Sequence, residues 1–386
     1  MIRIIVFLGS LTAIAAVSTD IYLPAIPNLE ESWNEPLTRI NLALSGFFVA
    51  FCSSILLFGP LSDRFGRKKP LLAGIAIYCI ASTLCATATN IEQLVLYRIL
   101  QGFGAGSASA ISLAITKDRF TDDEERGRVL SYIAVIMAIA PMLAPTLGAV
   151  ILQISEWQMI FISQAVFGLI LWVSVAAMNE SLLTRESVNA KEIVSRYFSF
   201  FSNSRFFSYS MISSLLMAPM FAYIAASSTI YQETMKLGAL QYGFLFAFNA
   251  LSLMLGNLVY VSLQKKYGDR NLIVLAIAIA MIGAIIQFSL SSFQNVATFA
   301  LPMFLITFGV GIGRAPSVNS ALESINKHVG IASSIIVFSN FFIASIAMLI
   351  ASIDFENRVA VIAIFALCSC TTNALIMLKL LRFRKT

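Results

Sequence analysis

Long apolar runs, separated by short polar segments, extend along the whole chain. A helix that crosses a bilayer needs roughly 20 mostly apolar residues, and twelve runs of about this length can be distinguished. We predict membrane spans near residues 4–27, 39–61, 70–89, 92–115, 128–152, 157–178, 206–231, 240–264, 271–291, 296–321, 329–351 and 356–380. The connections are short, apart from the acidic loop 116–127 and a polar stretch at 179–205.

Composition agrees with this pattern. Of the 386 residues, 58% are hydrophobic and 12% are charged, whereas a soluble domain has about 25% charged residues. A soluble fold of this length could not bury so much apolar surface. The chain is therefore predicted to be an all-α integral membrane protein, with an N-terminal six-helix half at 1–178, a cytoplasmic linker at 179–205 and a C-terminal half at 206–386.

The distribution of Lys and Arg predicts the orientation, because cytoplasmic loops are enriched in both. With the N-terminus inside, 21 of these residues fall on inner segments, and only Arg39, Lys236 and Arg358 fall on outer ones. Both termini are then cytoplasmic, and the net charge of +6 gives no support to a nucleic-acid partner. A cleavable signal peptide is the alternative for the first residues, but the apolar run continues to Pro27.

Candidate metal ligands are few. The five cysteines all fall within predicted spans, where they are expected to act as small apolar packing residues. His328 falls in an inner loop and is expected to be a solvated side chain. We predict no metal site.

Two features recur across the linker. GFGAG at 102–106 is echoed by GVGIG at 309–313, and DRFGRK at 63–68 is weakly echoed by KKYGDR at 265–270. The echoes lie six spans apart, so the chain is predicted to consist of two pseudo-symmetric halves, a common plan for secondary transporters. Chance similarity between glycine-rich membrane helices is the alternative.

The segment GPLSDRFGRKKPL at 59–71 resembles the signature of the major facilitator superfamily between spans 2 and 3. The matching residues are Gly59, Leu61, Asp63, Arg64, Gly66, Arg67 and Lys68. We expect Asp63 to cap a helix that begins near residue 329, and Arg67 to hold Asp63 and Asp118. Gly66 would permit a tight turn and Gly59 a close helix approach. The cluster would be a cytoplasmic latch between the halves, although the bases could serve only to fix orientation.

Further matches extend this resemblance over most of the chain. Span 4 is similar to the family pattern at Arg98, Gln101 and Gly102, and span 5 is similar to the antiporter motif at Pro141, Pro145 and Gly148. STDIYLPAIP at 18–27, with a weaker match at 179–182, resembles the bicyclomycin and chloramphenicol resistance branch of drug:proton antiporters.

Three charged residues are predicted to lie inside spans, where charge is costly and often functional. Asp20 and Arg98 have similar predicted depths of about 10 Å at 1.5 Å per residue, so we expect them to form a charge pair. Asp20 is the leading candidate for a proton carrier; a static bridge that braces the helices is the alternative. Arg314 is expected to snorkel from the inner end of span 10, or else to bind an anionic group.

The substrate cavity is expected to be apolar with few polar contacts. The candidates for its lining are Phe47, Tyr132, Met137, Met217, Tyr223, Phe246, Asn249, Phe338 and Asn340.

The resemblance implies a secondary transporter that exports small amphipathic compounds in exchange for protons by alternating access. It implies no cofactor, the proton gradient as energy source, and a monomer in the bacterial inner membrane. A proton-coupled or facilitative importer of a small nutrient is the alternative. An enzyme is disfavoured, because clustered His, Asp or Cys side chains at membrane depth are missing from the sequence, and so is a phosphate-binding loop.

Overall fold

The computed structural model describes residues 2–182, 203–325 and 329–382, and all regular secondary structure in these ranges is helical. Contacts within the chain divide it into two compact units, Met1–Asn189 and Ala190–Thr386. The division falls inside the stretch that was predicted to be a linker. Most of that stretch, and His328, lie outside the described residues.

The helices of the first unit follow the predicted spans 1 to 6. They are α1 Ile2–Asp20, a 3₁₀ turn Leu23–Ala25, α2 Ile26–Trp33, α3 Leu37–Ile40, α4 Leu42–Phe65, α5 Lys68–Ala86, α6 Ile91–Arg119, α7 Asp123–Ile154 and α8 Gln158–Ala177.

The helices of the second unit follow spans 7 to 12. They are α9 Ser204–Thr229, a π-helical turn Ile230–Thr234, α10 Ala239–Leu290, a 3₁₀ turn Ser291–Phe293, α11 Val296–Glu323, α12 Val329–Ala351 and α13 Arg358–Arg382.

Eleven helices of the described residues are long and apolar enough to cross a membrane. One of them, α10, has 52 residues, or about 78 Å at 1.5 Å per residue, more than twice the roughly 30 Å of a hydrocarbon core. Its backbone is non-helical at Gly268, where φ is 73° and ψ is 160°. Divided at Gly268, α10 corresponds to the two predicted spans 240–264 and 271–291.

Span 1 differs most from its predicted bounds. The prediction ended it at Pro27, whereas a 3₁₀ turn and α2 continue the segment to Trp33. Pro24 and Pro27 lie in the first turns of these short helices, where a missing N–H removes no hydrogen bond. The prolines therefore begin new helical turns after α1 ends at Asp20.

Polar side chains fix where several helices begin. The side-chain oxygens of Asn90, Asp122 and Asn295 accept hydrogen bonds from backbone N–H groups three residues later, at 2.9, 2.8 and 3.0 Å. Asn203 does the same at the start of α9. Each side chain satisfies N–H groups that the first helical turn leaves without an intrahelical partner.

The echoed sequence motifs adopt similar local structures in the two units. Gly66 and Gly268 both have positive φ, 89° and 73°, with ψ near extended values of 162° and 160°. The glycine clusters allow close helix contacts: a Cβ at Gly102 would lie 2.2 Å from the carbonyl oxygen of Phe47, and one at Gly311 would lie 2.4 Å from that of Leu253. Small residues thus let α6 approach α4 and α11 approach α10.

Candidate functional site

A buried polar network lies in the interior of the first unit, where α1 ends. Asp20 is the last residue of α1 and is 5% exposed. Its carboxylate accepts a hydrogen bond from the Thr19 hydroxyl at 3.0 Å. No Lys or Arg of the described residues forms an ion pair with it.

Arg98 of α6 is fully buried in the same unit. Its Nη1 donates to the carbonyl oxygen of Ser18 at 3.1 Å and to Oε1 of Gln101 at 2.6 Å. Its Nε and Nη2 have no hydrogen-bond partner among the described residues. Since no described carboxylate is paired with Arg98 either, the structure does not contain the expected Asp20–Arg98 ion pair.

Aromatic rings enclose the Arg98 guanidinium. Its central carbon lies 4.5 Å from the ring centroid of Phe47, 5.3 Å from that of Tyr22 and 5.8 Å from that of Phe161. A guanidinium within about 6 Å of a ring face is attracted by the negative face of the ring. Ring faces and neutral oxygens, rather than a carboxylate, therefore accommodate this charge.

Gln101 extends the network to two further helices. Its amide nitrogen donates to Ser82 of α5 at 2.7 Å and to Oε1 of Gln164 of α8 at 2.6 Å. Gln164 in turn donates to the Ser18 carbonyl at 3.2 Å. Buried, connected polar groups of this kind specify one packing arrangement, so α1, α5, α6 and α8 are held in register around Ser18.

The proline- and glycine-containing motif of α7 packs against the end of α1. Pro145 and Gly148 are buried, and Pro141 is partly buried. A Cβ at Gly148 would lie 2.0 Å from the carbonyl oxygen of Ile21, the residue after Asp20. The motif therefore contacts the segment that carries the buried carboxyl group, a proximity that the sequence did not reveal.

A second cluster lies at the other end of the first unit. Arg67 donates to Oδ1 of Asp63 at 2.5 Å, to Oδ2 of Asp118 at 2.8 Å and to the Ser62 hydroxyl at 2.7 Å. Burial alone would lower the pKa of Arg67, but these carboxylates raise it above its ordinary value. The structure thus brings together the three charged side chains that the sequence grouped. The contact of Asp63 with the helix near residue 329 stays a prediction.

Glu180 closes this cluster from the segment after α8. Its carboxylate accepts hydrogen bonds from the backbone N–H groups of Arg67 and Lys68 at 2.8 and 3.2 Å, at the start of α5. Burial would raise the pKa of Glu180, but the N–H groups of Leu182, Arg67, Lys68 and Ser181 lower it below its ordinary value. A carboxylate at a helix N-terminus is stabilising. The sequence suggested Glu180 only through the match at 179–182.

Comparison with known proteins identifies the family. The model of the Major Facilitator Superfamily matches residues 8–377. This chain belongs to the Major Facilitator Superfamily. It is 27% identical to the multidrug resistance protein MdtL of Citrobacter koseri over 98% of this chain and 96% of that protein. It is 28% identical to the chloramphenicol resistance protein CraA of Acinetobacter baumannii over 84% and 80% of the two chains.

Solved structures agree on the fold. The nucleoside transporter NupG matches with a TM-score of 0.76 and 15% identity over 98% of each chain. The D-xylose-proton symporter matches with a TM-score of 0.76 and 16% identity over 97% of this chain and 96% of its own. The family match, together with this fold, makes the chain a multi-pass membrane transporter, and the members of the family that it matches are transporters rather than enzymes.

The predicted cavity residues occupy several different environments in this transporter. Phe47 contacts Arg98, Met217 is buried, and the Tyr223 and Phe246 rings stack with centroids 5.8 Å apart. Asn249 is buried, Asn340 accepts from the Ser214 hydroxyl at 2.8 Å, and Phe338 stacks on Phe342. Tyr132 and Met137 of α7 are 55% and 40% exposed. Within the second unit, the structure brings Tyr223 and Phe246 together.

Two expectations differ from the structure in detail. A Cβ at Gly59 would meet no atom within 4 Å, so the prediction that this glycine permits a close helix approach is wrong for the described residues. Arg314 lies nine residues before Glu323, the end of α11, or about 14 Å at 1.5 Å per residue. It is partly exposed and lies deeper than a position near the inner end of the span.

Sequence reasoning missed three residues of the polar network. Ser18, Ser82 and Gln164 link Arg98 and Gln101 to neighbouring helices. Gln164 carried a signal, because a glutamine inside an otherwise apolar span is costly unless it finds a partner. The two serines carried none, since serine is common at helix contacts in membranes.

Proposed function

We propose that this transporter exports small amphipathic compounds in exchange for protons, by alternating access, and that Asp20 carries the proton. The energy source is the proton gradient, with no cofactor. The working form is a monomer in the bacterial inner membrane with both termini in the cytoplasm. Export is favoured over import because the relatives MdtL and CraA are named for multidrug and chloramphenicol resistance.

The observation that carries the proposal is the environment of Asp20. This carboxyl group is 5% exposed, and its recorded side-chain partner is a hydroxyl rather than a cation. Intramembrane carboxyl groups are typical elements of proton pathways in transporters. Arg98 contributes through Ser18, because it holds the carbonyl two residues before Asp20 and so positions the end of α1.

The cluster of Asp63, Arg67 and Asp118 supports a role for the cytoplasmic end in the same cycle. Arg67 joins the turn after α4 to the inner end of α6, so these helices are expected to move as one body. We propose that the cluster, with Glu180, keeps this end rigid while the transporter changes conformation. Its action as a latch against the second unit is part of the proposal.

The test is proton movement in proteoliposomes that contain a pH-sensitive dye. Chloramphenicol added outside should enter in exchange for protons that leave, so it should alkalinise the lumen of vesicles with wild-type protein in either orientation. Asp20→Asn should abolish the proton signal. Glu92→Gln is the matched control, because Glu92 is an exposed acid paired with Arg39 and such pairs contribute little. Substrate flux without proton movement in the wild type would make the protein a facilitator and would remove the role of Asp20.

A further inference from the structure

Arg314 is a charged residue in the interior of α11. It lies 18 residues after Val296 and nine before Glu323, the two ends of this helix, or about 27 and 14 Å at 1.5 Å per residue. The helix has 28 residues and is about 42 Å long, whereas a hydrocarbon core is about 30 Å thick. When the helix is centred on the membrane, Arg314 therefore lies inside the apolar layer. Charged groups at this depth are costly and almost always pair with another group or face a water-filled space.

The face of α11 that carries Arg314 packs inside the protein. Four residues share this face, at seven and four positions before and three and seven positions after Arg314, and each is at most 1% exposed: Thr307, Val310, Ser317 and Ala321. Arg314 itself is partly exposed. The guanidinium is thus attached to an inward-packed face and still has surface that a ligand can contact.

The part of the chain that the structure describes gives Arg314 no compensating partner. Arg314 forms no ion pair with a described acid, lies over no described ring and has no hydrogen bond to a described residue. Arg98 in the first unit differs, because two oxygens and three rings surround its guanidinium. The charge of Arg314 is therefore open to a partner that is not one of the described residues.

Helix α9 brings a free hydroxyl group to the same level. A Cβ at Gly313 would lie 2.8 Å from Cδ1 of Leu216, and Phe206 packs with Ala321 in one buried cluster. The two helices therefore run antiparallel, and Ser213, one turn before Leu216, is level with the turn of α11 that follows Gly313. The Ser213 side chain is fully buried, and its hydroxyl has no hydrogen-bond partner among the described residues. Buried polar groups are usually satisfied, so this hydroxyl is a second donor that a ligand could use.

We propose that Arg314 binds the anionic oxygens of a transported amphipathic anion, a carboxylate or a phosphate monoester, with the Ser213 hydroxyl as a second donor. This assignment rests on the proposed function for its link to transport, and it names organic anions as a substrate class. A guanidinium presents parallel N–H groups that match the oxygens of a carboxylate or a phosphate. The phosphate of an anionic lipid has the same chemistry, so the experiment must separate the two sources.

The experiment measures binding of radiolabelled 4-phenylbutyrate to the purified full-length protein in a neutral detergent, by equilibrium dialysis without a gradient. Arg314→Gln should weaken binding at least about tenfold, as for loss of a charge-assisted pair of hydrogen bonds. Arg314→Lys should lose less, because it keeps the charge but not the planar fork, and Ser213→Ala should weaken binding about threefold. Lys265→Gln is the matched control and should bind as the wild type does, because it removes one positive charge at an exposed position of α10.

Thermal unfolding distinguishes loss of the site from loss of the fold. Because Arg314 has no partner among the described residues, Arg314→Gln should unfold at the wild-type temperature or above it. 4-Phenylbutyrate should raise the unfolding temperature of the wild type and leave that of Arg314→Gln unchanged. A variant that unfolds at a lower temperature without ligand would show that Arg314 braces the fold, and would overturn the assignment.

Competition identifies the chemistry of the ligand and its source. Unlabelled 4-phenylbutyrate should displace the probe at least about tenfold more effectively than its uncharged amide, and more effectively than phosphatidylglycerol. The proposal is overturned if the wild type does not bind the probe at millimolar concentration, if Arg314→Gln binds it as the wild type does, or if the amide competes equally. It is also overturned if phosphatidylglycerol is the stronger competitor, which would assign Arg314 to a lipid headgroup. Because binding is measured without a gradient, these outcomes are independent of the proton signal with chloramphenicol, whose failure would refute antiport alone.

Discussion

Both units contain buried aromatic rings, but the rings surround different groups. In the first unit the rings of Tyr22, Phe47 and Phe161 enclose Arg98. In the second unit the ring of Tyr223 packs against those of Phe246 and Phe299, with centroids 5.8 and 5.7 Å apart. Ring faces therefore stabilise a buried charge in the first unit, whereas these rings of the second unit stabilise one another.

The two turns that contain the repeated glycines, Gly66 and Gly268, also differ in the charged contacts beside them. Next to Gly66, Arg67 forms ion pairs with Asp63 and Asp118. Near Gly268, the corresponding contacts are hydrogen bonds, from the Tyr260 hydroxyl to Asp269 at 3.2 Å and from Asn319 to Tyr260 at 2.7 Å. The repeat therefore preserves the backbone geometry of the two turns, while among the described residues the ion pairs are found at the first turn and not at the second.

The largest effect is expected from removal of the enclosed charge. Arg98→Met should lower the free energy of unfolding by about 2–4 kcal/mol, because hydrogen bonds to a charged donor contribute about 1.5–3 kcal/mol and the buried Oε1 of Gln101 would lose its donor. Phe299→Leu in the second unit should cost only about 1–2 kcal/mol, as for loss of the two aromatic pairs that Phe299 forms with Tyr223 and Tyr231. Denaturant titration in detergent measures both. Equal costs would show that the two groups of rings are ordinary packing.

The next effect concerns the contact between α7 and the end of α1. Gly148→Ala should reduce transport at least about tenfold and cost about 1–3 kcal/mol, because the added methyl group overpacks the backbone at Ile21. Gly127→Ala is the control on the same helix, since a Cβ there meets nothing within 4 Å. Uptake in proteoliposomes and thermal unfolding measure the two quantities. Full activity of Gly148→Ala would show that this contact does not position Asp20.

The fold was predictable because bilayer thickness fixes the length of an apolar run. Local sequence and charge are enough to predict the spans, the turns at Gly66 and Gly268, and the group of Asp63, Arg67 and Asp118. The positions of Ser18, Phe47 and Phe161 around Arg98 could not be predicted, because these residues are far from Arg98 in sequence and are common residue types in membrane helices. Asp20 and Arg98 were predicted to form a pair because they have similar depths along their helices. Depth does not give the direction in which a side chain points, so the prediction was wrong.

The two helix turns should also differ in their response to salt. Asp118→Asn should destabilise the first unit by about 1–2 kcal/mol, because the Arg67 side chain is 8% exposed and would lose an ion pair at an almost buried site. Asn319→Ala should cost about 1 kcal/mol or less, the value of a neutral hydrogen bond. Thermal unfolding at low and high ionic strength measures both. If the stability cost of Asn319→Ala changed with ionic strength, that result would contradict the distinction between an ionic and a neutral turn.

The smallest effect is the pH dependence that Glu180 adds to the first turn. Because backbone N–H groups hold the pKa of Glu180 below its ordinary value of 4.5, the folded state binds fewer protons than the unfolded state. The stabilisation is then complete above pH 4.5 and is lost as the pH falls through the lower folded pKa.

Glu180→Gln should therefore cost less than about 1 kcal/mol at neutral pH, as for an exposed acid at a helix N-terminus. The difference from the wild type should shrink below pH 4, since a protonated Glu180 and a glutamine accept similar hydrogen bonds. Thermal unfolding of both proteins over this pH range is the measurement. A difference that is constant with pH would mean that the Glu180 side chain acts through its shape rather than its charge. The charged contacts that stabilise this turn would then be limited to those of Arg67.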